Sequence, residues 1–141
     1  MFLLDTDYAG LLQRKTQPQF DRLVARMNQH SLADFFFPII AFHEQVMGAN
    51  LYISRATDEV SVVRGYRLLE RILDHFKAAK VLAFDESAAR QFVFFRQQRT
   101  RVGTMDLRIA AIALSRDMTV LTRNLIDFRK VPGLRVEDWT S

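Results

Sequence analysis

The chain has 141 residues, 49% of them apolar and 12 of them Phe, enough for one domain to bury a core without a disulfide or a structural metal. It contains no Cys, which excludes disulfides, thiolate zinc sites and cysteine nucleophiles and fits a reducing compartment. Twenty Lys and Arg against 16 Asp and Glu give a formal charge of +4, and 16 of the 20 cations are Arg, the cation suited to bidentate phosphate contacts.

Met1 is followed directly by Phe2-Leu3-Leu4-Asp5 without a basic n-region, so no secretory signal is expected. No run approaches the about 18 apolar residues of a membrane span, and the expected location is the cytoplasm. Phe2-Leu3-Leu4 reads as a buried strand running into the helix cap Asp5-Thr6-Asp7. A helix is expected over 8–15, and a second one from Pro18 to about Met27, Pro being well tolerated at a helix start. Phe35 to Ala41 reads as the second buried strand, weakened by Pro38. Helices follow from Phe42 to Tyr52 and over 55–78, then a third strand at Val81-Leu82-Ala83-Phe84. Asp85 caps a helix to about Gln98, with Glu86 in its first turn. Gly103 breaks that run, and Asp106 begins an Ala- and Leu-rich helix through Leu114. Thr119-Val120-Leu121-Thr122 is the fourth strand, Asn124 to Phe128 a turn or short helix, and Leu134-Arg135-Val136 a last edge strand. No repeat, low-complexity tract or Gly/Ser linker divides the sequence, so residues 1–141 are expected to form one domain.

Short, uniformly apolar strands alternating with helices predict an α/β fold in three layers, with a mostly parallel sheet of four to five strands covered on both faces. Ligands in such sheets sit beyond the carboxyl ends of the strands, where the strand order reverses. The acids fall at that rim. Asp5 follows strand one, Glu44 lies just past strand two, Asp106 opens the helix before strand four, and Asn124 and Asp127 follow strand four. Each acid alone has a plain alternative: Asp5 and Asp106 as helix caps, Glu44 as a solvated helical residue, Asp127 as a turn residue. Together they repel, each pair at about 4 Å costing on the order of 4 kcal/mol at an effective dielectric near 20. A cation would relieve this, and oxygen-only ligands select a hard ion such as Mg²⁺ or Mn²⁺.

The acidic positions lie within segments that resemble the PIN-domain family and, within it, the VapC-type toxins of bacterial toxin–antitoxin pairs. The anchors are Met1-Phe-Leu-Leu-Asp5-Thr-Asp7, Glu44 with Gly48, Gly103-Thr-Met-Asp106-Leu-Arg-Ile-Ala-Ala-Ile-Ala-Leu114, Leu121-Thr-Arg-Asn124-Leu-Ile-Asp127-Phe128 and Val131-Pro-Gly-Leu-Arg-Val-Glu-Asp-Trp139. They span nearly the whole chain, in order. The resemblance implies a PIN-like fold and a Mg²⁺- or Mn²⁺-dependent endoribonuclease, usually dimeric and held inactive by a cognate antitoxin. It places the metal ligands at Asp5, Glu44 and Asp106. Two positions depart from the family: Asp7 stands where Asn is usual, and Asn124 where an acid is frequent, with Asp127 as the nearby alternative.

The remaining chemistry-bearing residues are weaker signals. His30, His43 and His75 lack metal-ligand spacing, and no nucleophile elbow or phosphate-cradling glycine loop is present. Arg99, Arg101, Arg108 and Arg123 flank the acidic rim in sequence and are candidates for RNA phosphate contacts. Phe92, Phe94 and Phe95 serve either the core or an interface. Two rival functions fit parts of the sequence: a catalytically weak module of the same fold that binds a partner, motivated by Asn124, and a haloacid-dehalogenase-type phosphatase, motivated by Asp5-Thr6-Asp7. The second lacks the later Lys and acidic pair that its chemistry requires.

Overall fold

In the computed structural model, which describes residues 1–141, five strands form one sheet in the order β3-β2-β1-β4-β5. The strands are β1 (Phe2–Leu4), β2 (Phe35–Pro38), β3 (Val81–Leu82), β4 (Thr119–Leu121) and β5 (Arg135–Glu137). Every neighbouring pair is parallel. Parallel neighbours require crossovers, and most of the helices lie in them. Helices α1 (Thr6–Arg14), α2 (Gln19–Met27), α3 (Ile39–Arg55), α4 (Glu59–Ala78), α5 (Glu86–Gln97), α6 (Thr104–Ser115) and α7 (Leu125–Phe128) complete the chain. No helix is long and apolar enough to cross a membrane.

The pleat divides the core in two. Successive strand residues face opposite sides, so Leu3 and Val120 join Ala88, Phe95 and the Ala-rich α6 on one face. Leu4, Leu121, Phe35 and Phe37 join Tyr8, Leu23, Ile72, Phe76 and Trp139 on the other. Both faces of the central strands are therefore dry, as their uniformly apolar sequences required.

Several boundaries differ from the sequence reading: β3 ends at Leu82 rather than Phe84, α4 begins at Glu59 rather than 55, and two further shifts bear on the site. The second strand ends at Pro38 rather than Ala41, and α3 already begins at Ile39. Pro38 keeps an extended backbone at the N-cap position, and Ile40 and Ala41 bury a helical face. A short apolar run is compatible with either structure, so periodicity alone misplaced the junction. The helix carrying Asp106 starts at Thr104, after Gly103, which puts Asp106 third in α6 rather than first.

Candidate functional site

Strand order reverses at β1, whose chain neighbour β2 lies on one side and β4 on the other. At the carboxyl ends of β1 and β4 the Asp5 amide donates to the Leu121 carbonyl at 3.2 Å. A cleft of about 410 Å³ opens there, with no hydrophobic residue on its wall; Asp5, Asp7, Glu44, Asp106 and Asn124 are among its lining residues.

Each side chain is placed by a local rule. Asp5 leaves β1 in extended conformation and caps α1, its Oδ1 accepting from the Tyr8 amide at 2.9 Å. The capping role and the cleft position thus coexist in one residue. Glu44 lies in the second turn of α3, and the Thr6 hydroxyl donates to its Oε1 at 2.6 Å. Asp106 occupies the first turn of α6, where the helix dipole favours a negative charge. Asn124 follows β4, its amide held by the Thr122 hydroxyl at 2.9 Å. Its side-chain nitrogen donates to Asp106 Oδ2 at 3.3 Å and to Asp127 Oδ2 at 3.0 Å. Asp127 stands outside the cleft wall, paired with Lys130 at 3.0 Å. Its charge holds Asn124 instead of entering the cleft.

The electrostatics mark the cleft as short of positive charge. Burial pushes the Asp5 carboxyl up from its ordinary 3.8 to about 7, and the charges of Asp7 and Asp106 add to this, while bonds from Thr122 and Tyr8 oppose it. Asp106 is also raised, first by burial, then by the charges of Glu44 and Asp127. Asp7 is neutralised: Arg123 grips it through Nε to Oδ2 at 2.6 Å and Nη2 to Oδ1 at 2.7 Å. No three acidic or histidine side chains converge into a ready-made metal cage. The carboxylates stand around the cleft instead of closing on one point.

The flanking cations divide. Arg123 is at the rim but committed to Asp7. Arg99 and Arg101 are exposed in the α5–α6 connection, and Arg108 packs over the Phe92 ring at 5.6 Å. None of these four lines the cleft. The cation that does is Arg14, in the last turn of α1. Sequence reasoning missed it, together with Thr6 and Gln45. For Thr6 and Arg14 the signal was helical spacing: Thr6, Gly10 and Arg14 follow one another at four-residue steps and so share a face.

No model of a known protein family matches the chain. It is 28% identical over 138 residues to the tRNA(fMet)-specific endonuclease VapC of Salmonella typhimurium, covering 98% of this chain and 97% of that protein. The protein of the same name from Shigella flexneri is 39% identical over 64 residues, 43% of this chain and 48% of that one. Among solved structures, DNA-bound VapBC from Salmonella typhimurium superposes with a TM-score of 0.73 at 28% identity, over 98% of this chain and 97% of that one. FitAcB from Neisseria gonorrhoeae gives 0.70 at 25% identity, again over 98% and 97%.

Proposed function

We propose that the chain is a VapC-type PIN-domain toxin, a divalent-metal-dependent endoribonuclease kept silent by a cognate antitoxin. The observation that carries this is the polar cleft in which Asp5, Glu44 and Asp106 share a wall without a paired cation among them, the charge of Asp106 raising Asp5 and that of Glu44 raising Asp106. An oxygen-only donor set short of positive charge fits Mg²⁺ or Mn²⁺. A bound ion would offset the repulsion between these carboxylates and let them approach one another.

Asp5, Glu44 and Asp106 would hold the ion, with Asn124 at the fourth position. When bound, it supplies an acidified, oriented water and neutralises charge building on the phosphate. The protein's own groups preset the cleft. Capping fixes Asp5 at the end of β1, and its partly protonated state near neutral pH limits repulsion before loading. Thr6 aims Glu44, and Asn124 ties Asp106 to the β4–α7 turn. Arg123 pairs with Asp7 and offsets part of the charge that the family departure adds at that position. The same ion pair denies Asp7 the role of free acid that a phosphatase of the haloacid-dehalogenase type would give it.

The relatives' names make a tRNA the first substrate to try, and RNA as substrate implies action in the cytoplasm. Their complexes suggest an antitoxin partner, and a homodimer is the assembly to test first. Purified protein with an initiator tRNA transcript in Mg²⁺ or Mn²⁺ should yield discrete fragments, and Asp5→Asn should slow this by roughly 10²-fold or more. Failure to cut any RNA, or undiminished cutting by Asp5→Asn, overturns the proposal. The open carboxylates and Asn124 also motivate a second reading, an inactive partner-binding module. That reading would be favoured if the intact protein neither cut RNA nor bound Mn²⁺.

A further inference from the structure

An acidic cleft repels a polyanion, so cations beside it must seat the strand. We propose that Arg14 and Arg71 form a phosphate-binding path for the RNA strand leaving the cleft, in the groove between α1 and α4. This rests on the nuclease reading and adds the route of the substrate. Three observations lead to it.

Arg14 is exposed and has neither an acidic partner nor a hydrogen bond, whereas Arg26, Arg116, Arg123, Arg135 and Lys130 all face carboxylates. Its guanidinium folds back over Gly10, where an added Cβ would meet Nη1 at 2.8 Å. The missing side chain is what lets the cation lie along the helix toward the acids. Finally, Arg14 lines two spaces at once: the acidic cleft and a groove of about 610 Å³ whose wall includes Gln13, Arg71 and Asp74, with Leu68 and Ile72 as its apolar part. A bond of 2.8 Å from Gln13 Nε2 to Gln45 Oε1 joins the walls of the two spaces. Along the groove two exposed guanidinium groups stand against one carboxylate. Planar guanidinium forks suit phosphate oxygens, and the apolar stretch of wall leaves room for a base or ribose.

The test is fluorescence anisotropy with a fluorescein-labelled initiator tRNA transcript in an Asp106→Asn background, which removes cutting and one repelling charge. Adding Arg14→Gln or Arg71→Gln should weaken binding about tenfold each. Each should also lower the slope of log affinity against log salt by about 0.7, one phosphate's worth on a single strand. Arg14→Lys should restore the slope while recovering only part of the affinity. Gly10→Ala, which favours the helix, should keep or raise Tm yet weaken binding by displacing the guanidinium. Unchanged affinity and slope in both Gln variants, with wild type still cutting RNA, sink the path and leave the nuclease standing. Arginine-dependent binding without any cutting by wild type does the reverse. Absence of both binding and cutting overturns the two together.

Discussion

Asp5 and Asp138 are both tied to Tyr8, in the first turn of α1, yet they are treated in opposite ways. Asp138 accepts from the Tyr8 hydroxyl at 2.8 Å, the Thr140 amide at 2.8 Å and the Thr140 hydroxyl at 2.6 Å. Burial works against its charge, but the Thr140 and Tyr8 bonds outweigh it and hold the carboxyl below the usual range. Asp5, capping the helix through one backbone amide, is pushed up to about 7. The lesson is that this fold can satisfy a partly buried carboxylate when the role is to fasten the C-terminal segment. At the cleft it gives the buried Asp5 fewer donors and leaves its charge opposed by burial and by neighbouring acids.

That contrast can be broken at either end. The largest effect is expected from Glu44→Gln, which keeps the shape of the side chain but removes a cleft charge: RNA cleavage should fall by roughly 10²-fold, with the melting curve unchanged. Near-normal rates would remove Glu44 from the site.

Asp5→Asn should do the opposite to stability. The folded state holds the Asp5 proton more tightly than the unfolded chain, about 7 against 3.8. Below pH 3.8 both states are protonated and the residue is neutral in its effect. As pH rises toward 7 the unfolded chain ionises first, so stability is lost, and above 7 the loss is complete. Asn cannot ionise. In metal-free buffer the variant should therefore be more stable than wild type at pH 8, by up to about 4 kcal/mol, with the gain gone near pH 4. A variant less stable at pH 8, measured by urea unfolding, would show that Asp5 is a structural acid like Asp138.

Tyr8→Phe strikes the satisfied end. It strips a donor from Asp138 and the acceptor of the Trp139 amide, 2.7 Å away. A loss of about 1–2 kcal/mol is expected, with metal binding unaffected. Lys130→Ala, at an exposed pair behind the cleft, should change Tm by no more than about 2 °C. A larger drop would mean that Asp127 does more than steady Asn124.

Much of this was legible in the residues. The strands declared themselves by apolar runs too short for helices, Asp5 and Asn124 by their positions just past strand ends, and Glu44 and Asp106 by their places near the starts of the helices that follow or precede a strand. The β2–α3 junction was not legible, because Ile39-Ile40-Ala41 suits a buried strand and a buried helix equally. Arg108 shows a second limit. It is two residues from Asp106, but on a helix that spacing turns it away from the cleft and onto Phe92. Arg14 shows the converse. Nine residues beyond Asp5, it reaches the cleft only because α1 runs along the rim and Gly10 leaves space for the guanidinium to fold back. Proximity in sequence favoured the wrong arginines, and only tertiary placement identified the right one.

The central claim is that Asp5, Glu44 and Asp106 lack a cation and take a divalent one. Calorimetric titration of Mn²⁺ into the metal-free protein at pH 7.5 addresses it most directly, with Asp106→Asn alongside. Saturable binding to wild type that is lost or severely weakened in Asp106→Asn is the predicted result. No binding to wild type, or equal binding to both proteins, would contradict it.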